Sequence, residues 1–506
     1  MSKAIFSNMG FLLQISGLLT LLPIGIGLIY QEIDTVISLF IVCVTFLGLG
    51  FLMNALCERK DLDFKSANYL FLMAFVLLPL IGSIPYMYND PFISPTLADR
   101  FTNSYFESVS GYTTTGFSFI SAPETLDNSL LVYRSLTELM GGVGIVFLLL
   151  AFFQSRKAVS TLGSSVGVEG ISGNMKRIFL SVFVIYGIYV IAFMVIFYAM
   201  GFQNPITTGA YVIDTMTGGY QPSDQMFQNY LSLGPQIATI ALMIIGSINF
   251  VFHFNLFTFR PKKAITVEIL AFFIIIAVGT AAVAYAANKP ALDSLYHVVS
   301  MSSSTGYRYP AYADQNFPAA FGSTAFSILV VLMIIGGCAF SMAGGLRVSR
   351  IIGFFRTVKE TIMGLLIREN AAPKEKIKPN SNGNGSMQNL SATVSILLML
   401  SVLVIFALIF TTIGASFTDA IFEVGSALTT NGISLGYTTV TMGIGYKWLM
   451  IAAMTFGRVE ILSIIIGLFL VFKRSSPQSP SETPDEPTEP TEETELIEPA
   501  ENSSNP

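Results

Sequence analysis

Apolar runs of about 20 residues recur along almost the whole of this 506-residue chain, and they constrain its fold more than any other feature. Hydrophobic residues make up 52% of the sequence and charged residues only 12%, too few to cover the surface of a soluble protein of this length. The sequence therefore predicts an all-α polytopic membrane protein. Its apolar segments are 10–31, 36–57, 67–88, 129–154, 178–201, 232–259, 265–287, 321–368 (interrupted), 391–413 and 446–472.

The distribution of basic residues sets the expected orientation. If the N-terminus is cytoplasmic, most of the 27 lysines and arginines fall on the cytoplasmic side, and the reverse orientation would put them outside. We therefore expect both termini in the cytoplasm. The segment Ser475–Pro506 carries nine acidic residues, no basic ones and frequent Pro, Ser and Thr, a composition typical of a disordered tail.

The residue types needed for metal chemistry and hydrolysis are scarce. Three cysteines lie in or beside apolar runs, which argues against a disulfide framework and a cysteine metal site. There are only two histidines, and no HExxH motif is present. The sequence therefore favours a protein that is not an enzyme and carries no bound cofactor.

Four short segments are too apolar for ordinary loops and too short to cross a membrane. Each ends at a glycine, and aligning them on it gives FESVSGYTTTG (Gly116), TGAYVIDTMTG (Gly218), YHVVSMSSSTG (Gly306) and FEVGSALTTNG (Gly432). The second matches less well than the others. The pattern predicts a unit of span, short helix, loop and span that occurs four times, preceded by two extra spans, as expected of transport proteins with internal repeats.

Four such loops around one axis could replace the water shell of a cation with backbone carbonyl oxygens. Glycine permits the backbone geometry that this requires, and the short helices would aim their negative dipole ends at the axis. We therefore predict a pseudo-fourfold selectivity filter. Its predicted residues are Thr114, Thr115, Gly116, Met216, Thr217, Gly218, Ser304, Thr305, Gly306, Thr430, Asn431 and Gly432.

Polar residues near the filter have alternative interpretations. Glu107 and Glu423 could attract cations, but nine residues before the glycine they are better placed to brace the short helices. His297 holds the same position in the third segment, and we interpret it as a structural histidine. Arg458 lies deep in the last span, where an arginine needs a cavity or a partner; we predict that it faces the permeation path below the filter. Pairing with an acid is the alternative, although Glu460, two residues on, points elsewhere.

The stretch GGCAFSMAGGLR at 336–347 interrupts an otherwise continuous apolar run. Glycine costs about 1 kcal/mol relative to alanine inside a helix, so this span should break at its centre. We predict two half-helices, 321–335 and 347–368, flanking a loop that gates the path. Its predicted gate residues are Gly336, Gly337, Gly344 and Gly345, together with Arg458. A glycine-rich kink for close helix packing is the alternative interpretation.

With these features the chain resembles the Trk/Ktr/HKT superfamily of cation transporters, and most closely its TrkH/TrkG-type potassium uptake subunits. The resemblance rests on the four loops and on the stretches RSLTELMGGVGIVFL at 134–148, GGCAFSMAGGLR at 336–347 and FGRVEIL at 456–462. The two additional N-terminal spans favour the TrkH-like branch. The predicted division of the chain is two N-terminal transmembrane helices (1–65), repeats at 66–176, 177–263, 264–389 and 390–474, and the acidic tail (475–506).

The resemblance implies potassium uptake across the plasma (inner) membrane by a homodimer. It also implies a cytoplasmic, nucleotide-binding TrkA/KtrA-like regulatory subunit that senses NAD(H) or ATP/ADP. This chain has no dinucleotide-binding βαβ unit, so the nucleotide would bind to that partner, and no nucleic-acid partner is expected. Glycine at 116 is similar to potassium-selective members, and serine there is associated with sodium transport in some plant relatives.

Two other functions stay open from the sequence. A symporter coupling K⁺ to H⁺ or Na⁺ would need an acid exposed to the path, and Glu107, Asp214 and Glu138 are the candidates. A Na⁺-permeable relative would differ in the filter. A membrane-embedded enzyme or receptor would leave the fourfold pattern without an explanation.

Overall fold

The computed structural model describes residues 2–57, 64–152, 175–223, 232–312, 317–370 and 383–459. The predicted acidic tail and Glu460 lie outside these residues, as does the end of the last predicted span. The described part of the chain consists of helices and their connections, without strands, which confirms the predicted all-α class. Seven of these helices are long and apolar enough to cross a membrane, or eight if one strongly bent pair counts as a single span.

Two long N-terminal helices, α1 (Ser2–Tyr30) and α2 (Ile33–Leu56), pack closely against each other. At their crossing Gly10 and Gly50 face each other's backbone, and a methyl group on either glycine would come within 2.7 Å of the other's carbonyl oxygen. Small residues at a crossing allow such close approach.

The rest of the described chain forms four units, each with one short helix. The first unit begins with α3 (Phe64–Gly82) and the six-residue helix α4 (Ile84–Asn89). The short helix α5 (Leu97–Tyr112) and the long helix α6 (Asn128–Phe152) complete it. The second unit contains α7 (Met175–Ala199), the short α8 (Pro205–Thr217), α9 (Leu233–Ser247) and α10 (Phe250–Phe257).

A four-residue helix, α11 (Pro261–Ala264), leads into the third unit. That unit contains α12 (Val267–Ala287), the short α13 (Ala291–Ser303), α14 (Phe317–Ile335) and α15 (Val348–Asn370). The last unit contains α16 (Gly383–Phe410), the short α17 (Phe417–Leu428) and α18 (Ile444–Val459).

Three of the short helices have a capping side chain at their N-terminus. The Thr96 hydroxyl accepts a hydrogen bond from the Asp99 amide at 3.1 Å, and the Ser416 hydroxyl accepts one from the Asp419 amide at 3.2 Å. The Asn204 side chain caps α8 in the same way. A Ser, Thr or Asn at the N-cap is a helix-start signal, and in α5 and α17 an acid three residues later strengthens it. The fourth short helix, α13, starts after Pro290 without a side-chain cap.

Two predicted spans are interrupted in the structure. The interruption at 336–347 is as predicted, with α14 ending at Ile335 and α15 starting at Val348. The segment 232–259 was predicted as one continuous span, and this prediction was wrong: α9 and α10 meet at an angle of 105°. Asn249 lies at the bend and caps α10 by accepting the Phe252 amide at 2.8 Å.

Candidate functional site

Four glycines, one after each short helix, form a closed ring of contacts. Gly116, Gly219, Gly306 and Gly432 all have left-handed backbone angles, with φ of +80°, +84°, +72° and +78°. A methyl group on any of these glycines would collide with a carbonyl of the next loop. The four carbonyls belong to the residues just before the ring glycines: those of Gly218, Thr305, Asn431 and Thr115 face Gly116, Gly219, Gly306 and Gly432 respectively. The ring therefore requires glycine at these positions for both backbone angle and space.

The second loop enters this ring one residue later than predicted. The structure places Gly219, rather than Gly218, at the position shared with the other three glycines, and Met216 belongs to α8. The corresponding triplet is Thr217, Gly218 and Gly219. The register predicted from an ungapped alignment was therefore off by one.

The second loop also differs from the other three in length. The amides of Thr115, Thr305 and Asn431, each just before its glycine, donate to the carbonyl five residues earlier, at the end of the short helix. In the second loop the amide that makes this bond is that of Gly219 itself, which donates to the Asp214 carbonyl at 2.7 Å. The second loop thus has one residue fewer between helix and glycine.

Neighbouring loops are also joined by side-chain hydrogen bonds. The Tyr220 hydroxyl donates to the Glu107 carbonyl and the Tyr307 hydroxyl to the Tyr220 carbonyl, both at 2.5 Å. The Asn431 amide group donates to the Met301 carbonyl at 3.1 Å. These bonds hold the loops at fixed separations. The aromatic residues that follow the glycines were not predicted as site residues, although YR after Gly306 and YQ after Gly219 show the pattern once the register is right.

Hydroxyl groups lie where the loops leave the short helices, just before the ring glycines. We call this the helix side of the ring. Thr114, Ser304 and Thr430, each two residues before its glycine, have positive φ values of 54°, 60° and 51°. Among the described residues the buried Thr114 and Thr430 hydroxyl oxygens have no hydrogen-bond partner. Buried polar groups are normally paired, so these two oxygens are available to a ligand.

Three of the short helices brace their own loops with one side chain each. Glu107 accepts from the Phe119 amide at 3.1 Å, His297 from the Tyr309 amide at 3.2 Å, and Glu423 from the Leu435 amide at 2.6 Å. In every case the amide lies twelve residues after the bracing side chain. These contacts agree with the bracing interpretation of Glu107 and Glu423 and with the structural interpretation of His297.

Glu107 has a further partner that the sequence did not suggest. The Arg134 guanidinium lies 2.9 Å from its carboxylate and 4.2 Å from the centre of the Tyr220 ring. Arg134 is 1% exposed, so a buried ion pair links α6 to the first short helix. Removing one member of such a pair leaves an uncompensated buried charge.

The loop 336–347 is buried against the helix side of the ring. The Gly344 amide donates to the Ser304 hydroxyl at 3.1 Å. A methyl group on Gly344 would collide with the Thr430 hydroxyl and the Thr429 carbonyl oxygen. Two of the predicted gate glycines, Gly336 and Gly345, have positive φ and abut each other's backbone.

The bend between α9 and α10 and the start of α12 also contact this loop. The amides of Met342 and Cys338 donate to the carbonyls of Gly246 and Ser247, both at 3.0 Å, so the loop fits into the bend between α9 and α10. Glu268, at the start of α12, accepts from the Ala339 amide at 2.7 Å and from Ser349 at 3.2 Å. Glu268 was not predicted, because an acid in the first turn of a span resembles an ordinary helix-dipole partner.

Arg458 joins the loop to α6. Its guanidinium donates to the Met342 carbonyl at 2.9 Å and to the Gly141 carbonyl at 3.2 Å. Gly142, the next residue of α6, packs against the Met342 side chain. The predicted gate residues therefore do come together, with backbone carbonyls as the partners of the arginine.

Comparisons with known proteins agree with this architecture. A model of the TrkH family, described as cation transport protein, matches residues 39–268 and 262–477. An uncharacterized cation transporter of Methanocaldococcus jannaschii is 26% identical over 92% of this chain and 94% of its own length. The Trk system potassium uptake protein TrkH of Halomonas elongata is 26% identical over 92% of this chain and 98% of its length.

The crystal structure of the potassium transporter TrkH from Vibrio parahaemolyticus has the same fold. It superposes with a TM-score of 0.78 at 22% sequence identity and covers 94% of this chain and 100% of that one. The family match extends over most of the sequence, which confirms the predicted resemblance. This protein is a multi-pass membrane protein that belongs to the TrkH family of cation transport proteins.

Proposed function

We propose that this chain takes up potassium across the plasma (inner) membrane, through a filter that the four glycine loops form. The observation that carries the proposal is the closed ring of Gly116, Gly219, Gly306 and Gly432. Each of these glycines contacts the carbonyl of the residue that precedes the next glycine of the ring. Oxygens from four loops at one level are what a dehydrated monovalent cation needs. Relatives named as Trk potassium uptake proteins support K⁺ as the ion.

The proposed ion ligands are the backbone carbonyls of the ring and the hydroxyls of Thr114 and Thr430. The four short helices direct their carbonyl ends toward the ring, and the negative end of each helix dipole favours a cation there. The division into four repeats, at 66–176, 177–263, 264–389 and 390–474, is part of this proposal, and it is supported by the one short helix that each segment contains.

In this proposal the loop 336–347 is the gate, and Arg458 holds it shut. Gly344 contacts the ring from the helix side, and the Arg458 guanidinium binds the Met342 carbonyl in the same loop. A positive charge at this depth also opposes the passage of a cation. Opening then requires the loop to leave Ser304 and the arginine to lose one of its two carbonyl partners.

Regulation by other chains is also part of the proposal. The protein acts as a homodimer with both termini in the cytoplasm, and a cytoplasmic TrkA/KtrA-like subunit with bound NAD(H) or ATP/ADP opens the gate. The symporter alternative keeps one of its three candidate acids, Asp214, whose buried Oδ1 has no hydrogen-bond partner among the described residues. Of the other two, Glu107 is engaged by Arg134 and the Phe119 amide, and Glu138 by the Tyr220 amide.

Growth of uptake-deficient cells at limiting potassium tests the proposal. Expression of this chain, with and without a regulatory subunit, is expected to restore growth. Cells that still fail to grow, although the protein reaches the membrane, would contradict potassium uptake. Proteoliposome fluxes under imposed K⁺ and pH gradients then separate channel from symporter, because a fixed number of protons moved per K⁺ would exclude a channel.

A further inference from the structure

Among the residues that the structure describes, the second glycine loop receives no bracing side chain from its own short helix, whereas the other three loops each receive one. The hydrogen bond between Gly219 and Asp214 fixes the register of α8, and in that register Tyr211 corresponds to Glu107. Tyr211 does not reach along its own loop as Glu107 does. Its hydroxyl bonds with the Thr239 hydroxyl on α9 at 2.8 Å.

Glu138 of α6 occupies the space behind this loop. One carboxylate oxygen accepts from the Tyr220 amide at 3.2 Å, and the other accepts from the Thr217 hydroxyl at 3.1 Å. These partners flank Gly218 and Gly219 on both sides. A methyl group on Gly218 would come within 2.8 Å of the first of these oxygens, so the loop backbone lies directly against the carboxylate.

We propose that Glu138 is the brace of the second loop and thereby a determinant of ion preference, an inference that rests on the proposed filter. Glu138 acts by positioning the loop backbone, through the Tyr220 amide and the Thr217 hydroxyl. Glu107, His297 and Glu423 each brace a loop of their own unit. Glu138 belongs to the first unit and does the same for the loop of the second unit.

The helix that carries Glu138 is well placed for this task because it is fixed on both sides of the residue. One turn before, Arg134 is held by the carboxylate of Glu107. One turn after, the Gly141 carbonyl accepts from Arg458. Glu138 itself is fully buried, so its side chain has little freedom to release the loop.

Asp214 and Arg134 lie in the electrostatic environment of Glu138, so the charge of Glu138 and its hydrogen bonds could each affect the loop. Two kinds of substitution distinguish these effects. Glutamine keeps an acceptor for the Tyr220 amide and can donate to the Thr217 hydroxyl, which also bonds with the Ile213 carbonyl. E138Q is therefore expected to retain the ion preference. E138A removes both bonds, and E138M removes them while it keeps most of the volume.

The experiment measures K⁺ and Na⁺ permeability of purified full-length variants in proteoliposomes. E138A is expected to lower the K⁺/Na⁺ permeability ratio by up to about 30-fold, the factor equivalent to two ordinary hydrogen bonds of about 1 kcal/mol each. E138M is expected to give the same result, and it replaces E138A if the alanine variant does not fold. An unchanged ratio in a folded E138A or E138M would overturn the proposal, and so would a loss in E138Q as large as in E138A.

A control removes another hydrogen-bonded carboxylate, that of Glu32, which lies between α1 and α2 and contacts the start of the helix that carries Glu138. Glu32 accepts four hydrogen bonds from Asn128 and Ser129 at the start of α6, away from the glycine ring. E32A is expected to leave the permeability ratio unchanged. Gly116→Ser in the same assay separates the two proposals: if neither it nor E138A alters the ratio, the filter assignment fails, and if only E138A has no effect, the brace alone fails.

Discussion

The contact between Gly344 and the glycine ring can be tested by adding one methyl group. Gly344 does not have a positive φ, so alanine fits its backbone angle, and the only obstacle is space. The methyl group would collide with the Thr429 carbonyl oxygen and the Thr430 hydroxyl when the loop 336–347 is seated. A backbone carbonyl cannot turn aside as a flexible side chain can. Overpacking of this kind costs about 1–3 kcal/mol.

That cost applies only to the closed state if the loop leaves the ring on opening. A difference of about 1–3 kcal/mol between two states shifts their ratio about 5- to 150-fold. Gly344→Ala should therefore raise the basal flux of a tracer such as rubidium into K⁺-loaded proteoliposomes, without any regulatory subunit. The expected rise is at least about fivefold while the open fraction is still small.

Gly364 on α15 provides the matched control, because it has open space around it, and Gly364→Ala should leave the basal flux unchanged. Both proteins should elute as folded species on size-exclusion chromatography. A folded Gly344→Ala protein with wild-type flux, or with reduced flux, would refute the idea that the loop closes against the ring.

Other substitutions test the ring, the gate and the buried ion pair. Gly116→Ser should lower K⁺ over Na⁺ discrimination in the same flux assay, because a side chain collides with the Gly218 carbonyl; an unchanged ion preference would count against the filter. Shortening 336–345 should raise basal flux, and low flux in a folded deletion protein would contradict the gate. Arg134→Gln leaves the Glu107 carboxylate buried without its cation and should destabilise the protein by about 3–5 kcal/mol. Thermal unfolding in detergent measures this, and an unchanged midpoint would refute the estimate.

The long helices could be predicted from sequence because each apolar run has the length of a membrane span. The break at 336–347 was equally visible, since four glycines cannot continue a helix at low cost. The bend between α9 and α10 was not. Ser247 and Asn249 are its only local signals, and the carbonyls it exposes are satisfied by amides of the distant loop, Cys338 and Met342.

The site was predictable only where neighbouring residues in the chain carry the pattern. Glycine, serine and threonine repeat clearly enough to identify the first, third and fourth loops. In the second loop Gly218 and Gly219 are adjacent, and a short loop has no periodicity that would show which of them belongs to the ring. Glu138 and Glu268 act across the fold, and their partners are backbone amides, which leave no trace in the sequence.

The ring that we propose as the filter is built from a single chain, and this has a consequence for how the filter can vary. In a pore made of four identical subunits, any substitution enters the ring four times. Here Gly116, Gly219, Gly306 and Gly432 are encoded separately, so one mutation alters one side and leaves the other three unchanged. Ion preference can then change in graded steps, and each side can acquire its own support, as the second loop has from α6.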